Sequence, residues 1–381
     1  MNKNIILLFI IFCIFILIGA SNYDSYNVTM YKNNPQRTGF FDTEGVPNFH
    51  NVISKNEITK IGNFTPLVFQ NILYFSDIHH VFYAFNLESK NYIWKNIGDN
   101  AIISGDKIFI TNKNTVNAYN KLSGQLIWNL KLTTTTYFFN LIDNNYLFVI
   151  SSNNENDEPE MYLNIINKEN GQLIKSIYDY SFGDLAYWKG KLFYSNFGDL
   201  VSISIDNGEK KTLLKYDSKL GIISNPSIDN NIAYFSTNEG FVFAFDLIKN
   251  KILWNKKINE RQSSIGKFNS VSIYNDILYV SFIDKIFAIN AKTCDIIFSK
   301  DQKEHNVITP IAITKKEIYY TSIDGILYAL DNKTGKELWN YKFANYCYTM
   351  PIISNSTIYI FGSDKNLYDG TSDSGYLFII K

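Results

Sequence analysis

A twelve-residue phrase, Tyr-Ala-Leu-Asp-Asn-Lys-Thr-Gly-Lys-Glu-Leu-Trp at 328–339, returns along this chain at intervals of about 40 residues. It reads as strand, turn, strand. Related copies end at Trp94, Trp128 and Trp254, and a degraded copy ends at Phe298. Two further copies, Ile165 to Ile174 and Ser202 to Leu214, have lost the aromatic. Such a period excludes most single-core folds, because each unit is too short to bury both of its faces alone.

Upstream of each phrase lie two more short apolar runs, for example Ile72 to Ser76, Ile232 to Ser236, Ile277 to Ser281 and Ile318 to Ser322. The first run of a unit often starts at proline: Pro66, Pro226, Pro310 and Pro351. Each unit is therefore four short strands joined by tight turns. Eight units are expected, beginning near Pro66, Ala101, Phe138, Asp184, Pro226, Ser270, Pro310 and Pro351. The last has only three strands, and the stretch from Asn51 to Ile61 has no other assignment. The expected fold is all-β: an eight-bladed β-propeller of four-stranded antiparallel blades, its ring closed by an N-terminal strand that covers an open edge.

Composition agrees with strands and bounds the function. Tyr 27 and Phe 29 bring aromatics to 16%, which favours strands over helices. Lys+Arg and Asp+Glu are equal at 36 each, so bulk charge gives nucleic acid no footprint. Lys3, the apolar run Ile5 to Ile18, and Gly19-Ala20-Ser21 read as a signal peptide over residues 1–20. The run is shorter than the roughly 20 apolar residues of a membrane span. Residues 21–381 would then be one exported propeller domain with no integral span, secreted or periplasmic. Cys13 lies inside the apolar run, so lipid attachment is not expected. Asn27, Asn63, Asn332 and Asn355 begin Asn-x-Ser/Thr sequons and are glycosylation positions only in a eukaryotic host.

The unit Asp331-Asn-Lys-Thr-Gly-Lys-Glu-Leu-Trp339 resembles the repeat of quinoprotein-type (PQQ-like) β-propellers. The lead-in Asn34-Pro-Gln-Arg-Thr-Gly39 is similar to the segment that often opens them. The resemblance covers nearly all of the chain after the leader. It implies that Trp94, Trp128, Trp254, Phe298 and Trp339 pack between neighbouring blades, and that Arg37 anchors the lead-in to the ring. The family holds both quinone-dependent dehydrogenases and non-catalytic scaffolds, among them the propeller subunit of the bacterial outer-membrane protein assembly machinery. The dehydrogenases hold a quinone and a calcium ion at the axis and use an Asp as base. Their calcium ligands and base map to no segment here, and the adjacent cysteine pair of many alcohol-oxidising members is missing. No cofactor is expected, PQQ and calcium belonging to the alternative reading.

Loops enlarged on one face of a rigid scaffold are where binding usually resides. Two connections between second and third strands are long and acidic: Ser151 to Glu160, with Glu155, Asp157, Glu158 and Glu160, and Gly362 to Gly375, with Asp364, Asp369 and Asp373. These seven carboxylates are the candidate partner-binding residues. The second loop fails the EF-hand pattern, since Gly375 stands where a bidentate Glu belongs; Asp364, Asp369 and Asp373 remain weak cation candidates. His79 and His80 form a turn, and with His50 and His305 they show no zinc spacing. Cys294 and Cys347 fall on opposite faces, a strand length of roughly 17–20 Å apart, and a disulfide needs Cα atoms within about 6.8 Å. They are expected to be unpaired. The chain thus reads as a non-catalytic scaffold for a protein or glycan partner. The alternatives are a quinone- and calcium-dependent oxidoreductase and a structural surface or matrix protein.

Overall fold

A computed structural model describes residues 30–49, 51–59, 66–77, 79–143, 145–153, 160–180, 182–196, 198–215, 224–237, 239–260, 270–282, 284–302, 306–307, 309–347, 349–364 and 374–381. The expected leader with Cys13, the sequons Asn27 and Asn63, His50 and His305 lie outside them, as do Glu155, Asp157, Glu158, Asp369 and Asp373. Among the described residues every regular element is a strand, and the strands form eight four-stranded antiparallel sheets. The sheets are the blades of an eight-bladed propeller.

Blade 1 sets the pattern, with strands Leu67–Phe69, Ile72–Ser76, Val81–Asn86 and Asn91–Ile97 in order from the axis outward. The second strand is buried throughout, because blades cover it on both sides, whereas the outermost alternates between half-buried and exposed. Seven blades use consecutive strands. In the eighth, Ile352–Ser354, Thr357–Ser363 and Ser374–Ile380 are completed on the outside by Val52–Thr59, whose register runs from Val52 opposite Ile380 to Thr59 opposite Ser374. The N-terminal strand therefore closes the ring. Phe75 of blade 1 meets Phe361 of blade 8 with ring centroids 5.7 Å apart, inside a core that runs from blade 7 through blade 8 to blade 1.

The turn between third and fourth strands shows why the phrase repeats. Lys90, Gly124, Gly171, Gly208, Asn250, Cys294 and Gly335 occupy its equivalent position, all with φ between 53° and 76°. Glycine takes this left-handed conformation without the Cβ penalty. Four residues before it, an Asn or Asp such as Asn120 or Asp331 accepts the amides two and three residues on, which pins the turn. Four residues after it stand Trp94, Trp128, Lys175, Thr212, Trp254, Phe298 and Trp339.

Trp94, Trp128 and Trp254 each lie on the turn of the following blade. A Cβ built on Gly124 would meet Trp94 Cγ at 2.6 Å, and one on Gly171 would meet Trp128 Cε3 at 2.6 Å. Trp94, Trp128 and Trp254 donate Nε1–H to the carbonyls of Lys121, Lys168 and Ala291, three residues before the left-handed residue of that turn. Phe298 has no such donor; at its interface Tyr279 Oη donates to Asn332 O at 2.7 Å instead. Trp339 faces the composite blade, where no such turn is present among the described residues. Its Nε1 donates to Val46 O in the N-terminal segment at 2.7 Å.

Candidate functional site

Connections between second and third strands share one face of the ring with the connections between blades. On that face, at blade 3, strands Tyr146–Asn153 and Glu160–Asn167 reach further than blade 1's, so Glu160 is a strand end and not a loop residue. It accepts the Tyr162 hydroxyl at 3.0 Å, and this bond is the main reason the phenol titrates above its usual range. Tyr162 packs against Tyr178 at 5.8 Å, and Tyr178 against Tyr180 at 5.3 Å. Tyr178 is pushed up to about 12 by desolvation within the patch and by its contact with Tyr180. Tyr178 and Tyr180 are 41% and 59% exposed, an open aromatic corner at the base of the acidic loop.

Beneath this corner Asp179 is buried. It accepts the Tyr194 hydroxyl at 2.5 Å and pairs with Lys210 at 3.1 Å, both from blade 4. Burial, reinforced by Asp179, raises the Tyr194 phenol. The second acidic loop is described only at its rim. There Asp364 lies 3.9 Å from Lys55 of the closing strand, and the Lys55 ammonium sits 3.8 Å from the centre of the Tyr376 ring. On blade 1, Asp77 accepts the amides of His79 and Val81 and the Tyr83 hydroxyl, and exposed His80 pairs with Asp99. Among the described residues no three His, Cys, Asp or Glu side chains come together as a metal site.

The remaining sequence candidates are dispersed. Cys294 and Cys347 are buried free thiols. Asn332 is buried and donates Nδ2–H to Thr314 O and Lys315 O, whereas Asn355 is exposed in a turn of blade 8. Asn355 borders a cleft of about 660 Å³ with Glu44, Val46, Lys316 and Lys381, where the N-terminal segment fills in for the missing turn.

That segment also does something the sequence motif did not spell out. Its carbonyls visit the free edges of four inner strands in turn. Pro35 O accepts Tyr187 N of blade 4, Gln36 O accepts Ile228 N of blade 5, Thr38 O accepts Ile273 N of blade 6, and Gly39 O accepts Ile313 N of blade 7. Arg37, buried at φ 61°, donates Nε–H to Leu185 O and Nη1–H to Tyr31 O. Phe40 stacks on Tyr274 at 3.9 Å.

A family profile described as "Outer membrane protein assembly factor BamB" matches residues 112–309 and 302–377. The chain belongs to this PQQ-like family. Among its relatives, the outer membrane protein assembly factor BamB of Legionella pneumophila (strain Paris) is 24% identical over 36% of this chain and 35% of its own. The namesake from Francisella tularensis subsp. tularensis is 25% identical over 38% and 30%. The matched stretch thus spans about a third of the length of these curated relatives. Two solved structures extend the likeness to the whole fold. A europium-containing methanol dehydrogenase aligns with TM-score 0.74 over 96% of this chain and 99% of its own, at 11% identity. BamB from Moraxella catarrhalis aligns with TM-score 0.65 over 86% and 99%, at 12% identity. Family membership therefore fixes the architecture, and an enzyme and an assembly factor share it.

Proposed function

We propose that this propeller is an exported, periplasmic, non-catalytic scaffold that binds a protein partner in the assembly of outer-membrane proteins. The observation that carries this reading is the family match over residues 112–377, whose description is that of an assembly factor. The site geometry supports it: Glu160 and the exposed Tyr178 and Tyr180 gather with Tyr162 at one corner of a rigid ring. Tyrosine suits such a surface, since it offers a large apolar area at low entropic cost and a polar tip. Glu160, Tyr178 and Tyr180 are the described part of the binding surface. Glu155, Asp157, Glu158, Asp364, Asp369 and Asp373 are the further carboxylates that this reading assigns to partner binding. The working protein carries neither quinone nor calcium.

Photo-crosslinking in the native host tests this reading. A photoreactive residue at Tyr180 should capture a discrete protein that mass spectrometry identifies as an outer-membrane assembly component, and Tyr178→Ala should reduce the yield about tenfold. The same residue at Ile297, on the outer strand of blade 6, should capture little. Equal capture from both positions, insensitive to Tyr178→Ala, sinks the surface. Native mass spectrometry of the purified protein gives the complementary answer: added mass matching a quinone and calcium would restore the oxidoreductase.

A further inference from the structure

The N-terminal segment is held to the axis by an unusual arrangement of charge. Lys32 is only 3% exposed, and among the described residues its Nζ has one hydrogen-bond partner, Val271 O of blade 6, at 3.0 Å. No carboxylate among the described residues lies within ion-pair distance of it. Arg37, 2% exposed, is bonded among the described residues to carbonyl oxygens, those of Leu185 and Tyr31. Among the described residues, the charged groups facing Lys32 are Arg37 on its own segment and Asp184 on the connection into blade 4. The blade 6 strand offers it only a backbone carbonyl. Asp184 is itself tied to Asn225, whose Nδ2–H it accepts at 2.6 Å. Two buried cations thus share one carboxylate. A buried charge without a partner is expensive, and a guanidinium does not deprotonate in proteins.

We propose that the segment from Met30 to Phe41 is a proton-linked latch: when it docks on the inner strands, Lys32 releases its proton to solvent, so the latch tightens as pH rises. Burial, opposed by Asp184 and assisted by Arg37, pulls the docked ammonium down from 10.5 to about 7. Undocked, Lys32 keeps its ordinary value near 10.4. The undocked state therefore binds more protons between these limits, and docking strengthens with pH across that window. Below about 7 both states are protonated and this dependence stops.

Hydrogen exchange on the full chain reads the latch directly. The amides of Tyr187, Ile228, Ile273 and Ile313 have segment carbonyls as acceptors. After correction for intrinsic exchange, their opening constant should fall about twentyfold between pH 7.5 and 9, while amides between second and third strands do not change. Lys32→Met should abolish the slope while the segment stays docked. Asp184→Asn removes the carboxylate that favours the ammonium, and should move the onset of the slope below its wild-type pH without abolishing it. A purely structural role for either residue changes protection equally at every pH. The proposal is overturned if Lys32→Met retains the slope, if Asp184→Asn leaves the onset in place, or if all strands share one slope.

Discussion

Blades 1 and 2 meet around an indole, whereas blades 3 and 4 meet around a carboxylate, and the contrast shows what the repeat requires. At the first interface Trp94 lies against Gly124 and bonds to Lys121 O. At the second the equivalent residue is Lys175, whose aliphatic stem lies 3.1 Å from where a Cβ on Gly208 would sit. The polar link from Asp179 to Tyr194 and Lys210 bridges the two blades. The interface between blades 4 and 5, with Thr212 at the indole position, relies on Ala186, Phe193, Ile228 and Ala233, backed by Trp188 and Leu213. The wedge between blades must be filled and its turn carbonyl satisfied, but one residue type need not do both.

The contrast can be broken by removing its fillers in order of effect. Trp128→Ala should cost about 3 kcal/mol, at the low end of the range for large aromatics because the indole is only half-buried. Thr212→Ala should stay within about 0.5 kcal/mol. Chemical denaturation compares them, and similar losses would show that the indole position has no special weight. Asp179→Ala leaves the buried Tyr194 hydroxyl without its acceptor and should cost about 2 kcal/mol; adding Tyr194→Phe should recover most of that loss. Gly335→Ala should cost more than Gly105→Ala. Both glycines have positive φ, yet only at Gly335 would the new methyl meet a ring, Phe298 Cδ2 at 2.4 Å, while nothing lies within 4 Å of Gly105. Lys175→Trp sharpens the comparison from the other side. With Gly208 already in place to receive an indole, it should gain about 1 kcal/mol, and a loss would mean that the third wedge has been reshaped around its polar link.

What was legible in the sequence follows the same division. Strand spacing, the turn glycines and the indole positions are local and repeated, so eight blades could be counted and the missing strand assigned to the N-terminus. The lead-in motif marked Arg37 as an anchor. Its route could not be read, because Lys32 and Arg37 bond to carbonyls of Val271, Leu185 and Tyr31, and a backbone oxygen leaves no mark in the sequence. The tyrosine corner was also missed. Tyr162 and Tyr178 sit on two adjacent strands, with Tyr180 just past the end of the second, and they converge through strand pairing, Tyr162 opposite Tyr178. The alternation of Tyr178 and Tyr180 on either side of Asp179 would have found half of it.

The composite blade has a consequence for how such a chain comes into being. Val52 pairs with Ile380, a separation of 380 − 52 = 328 residues. Contacts so distant along the chain are slow to form, since a long loop must close before any of them rewards it. A polypeptide synthesised from its N-terminus delivers the closing strand early and the partner of that strand almost last. Until Ser374–Ile380 emerges, the outer strand has no edge to join. The early blades must then wait as an open arc, exposing one blade's flank and its unpaired strands at each end.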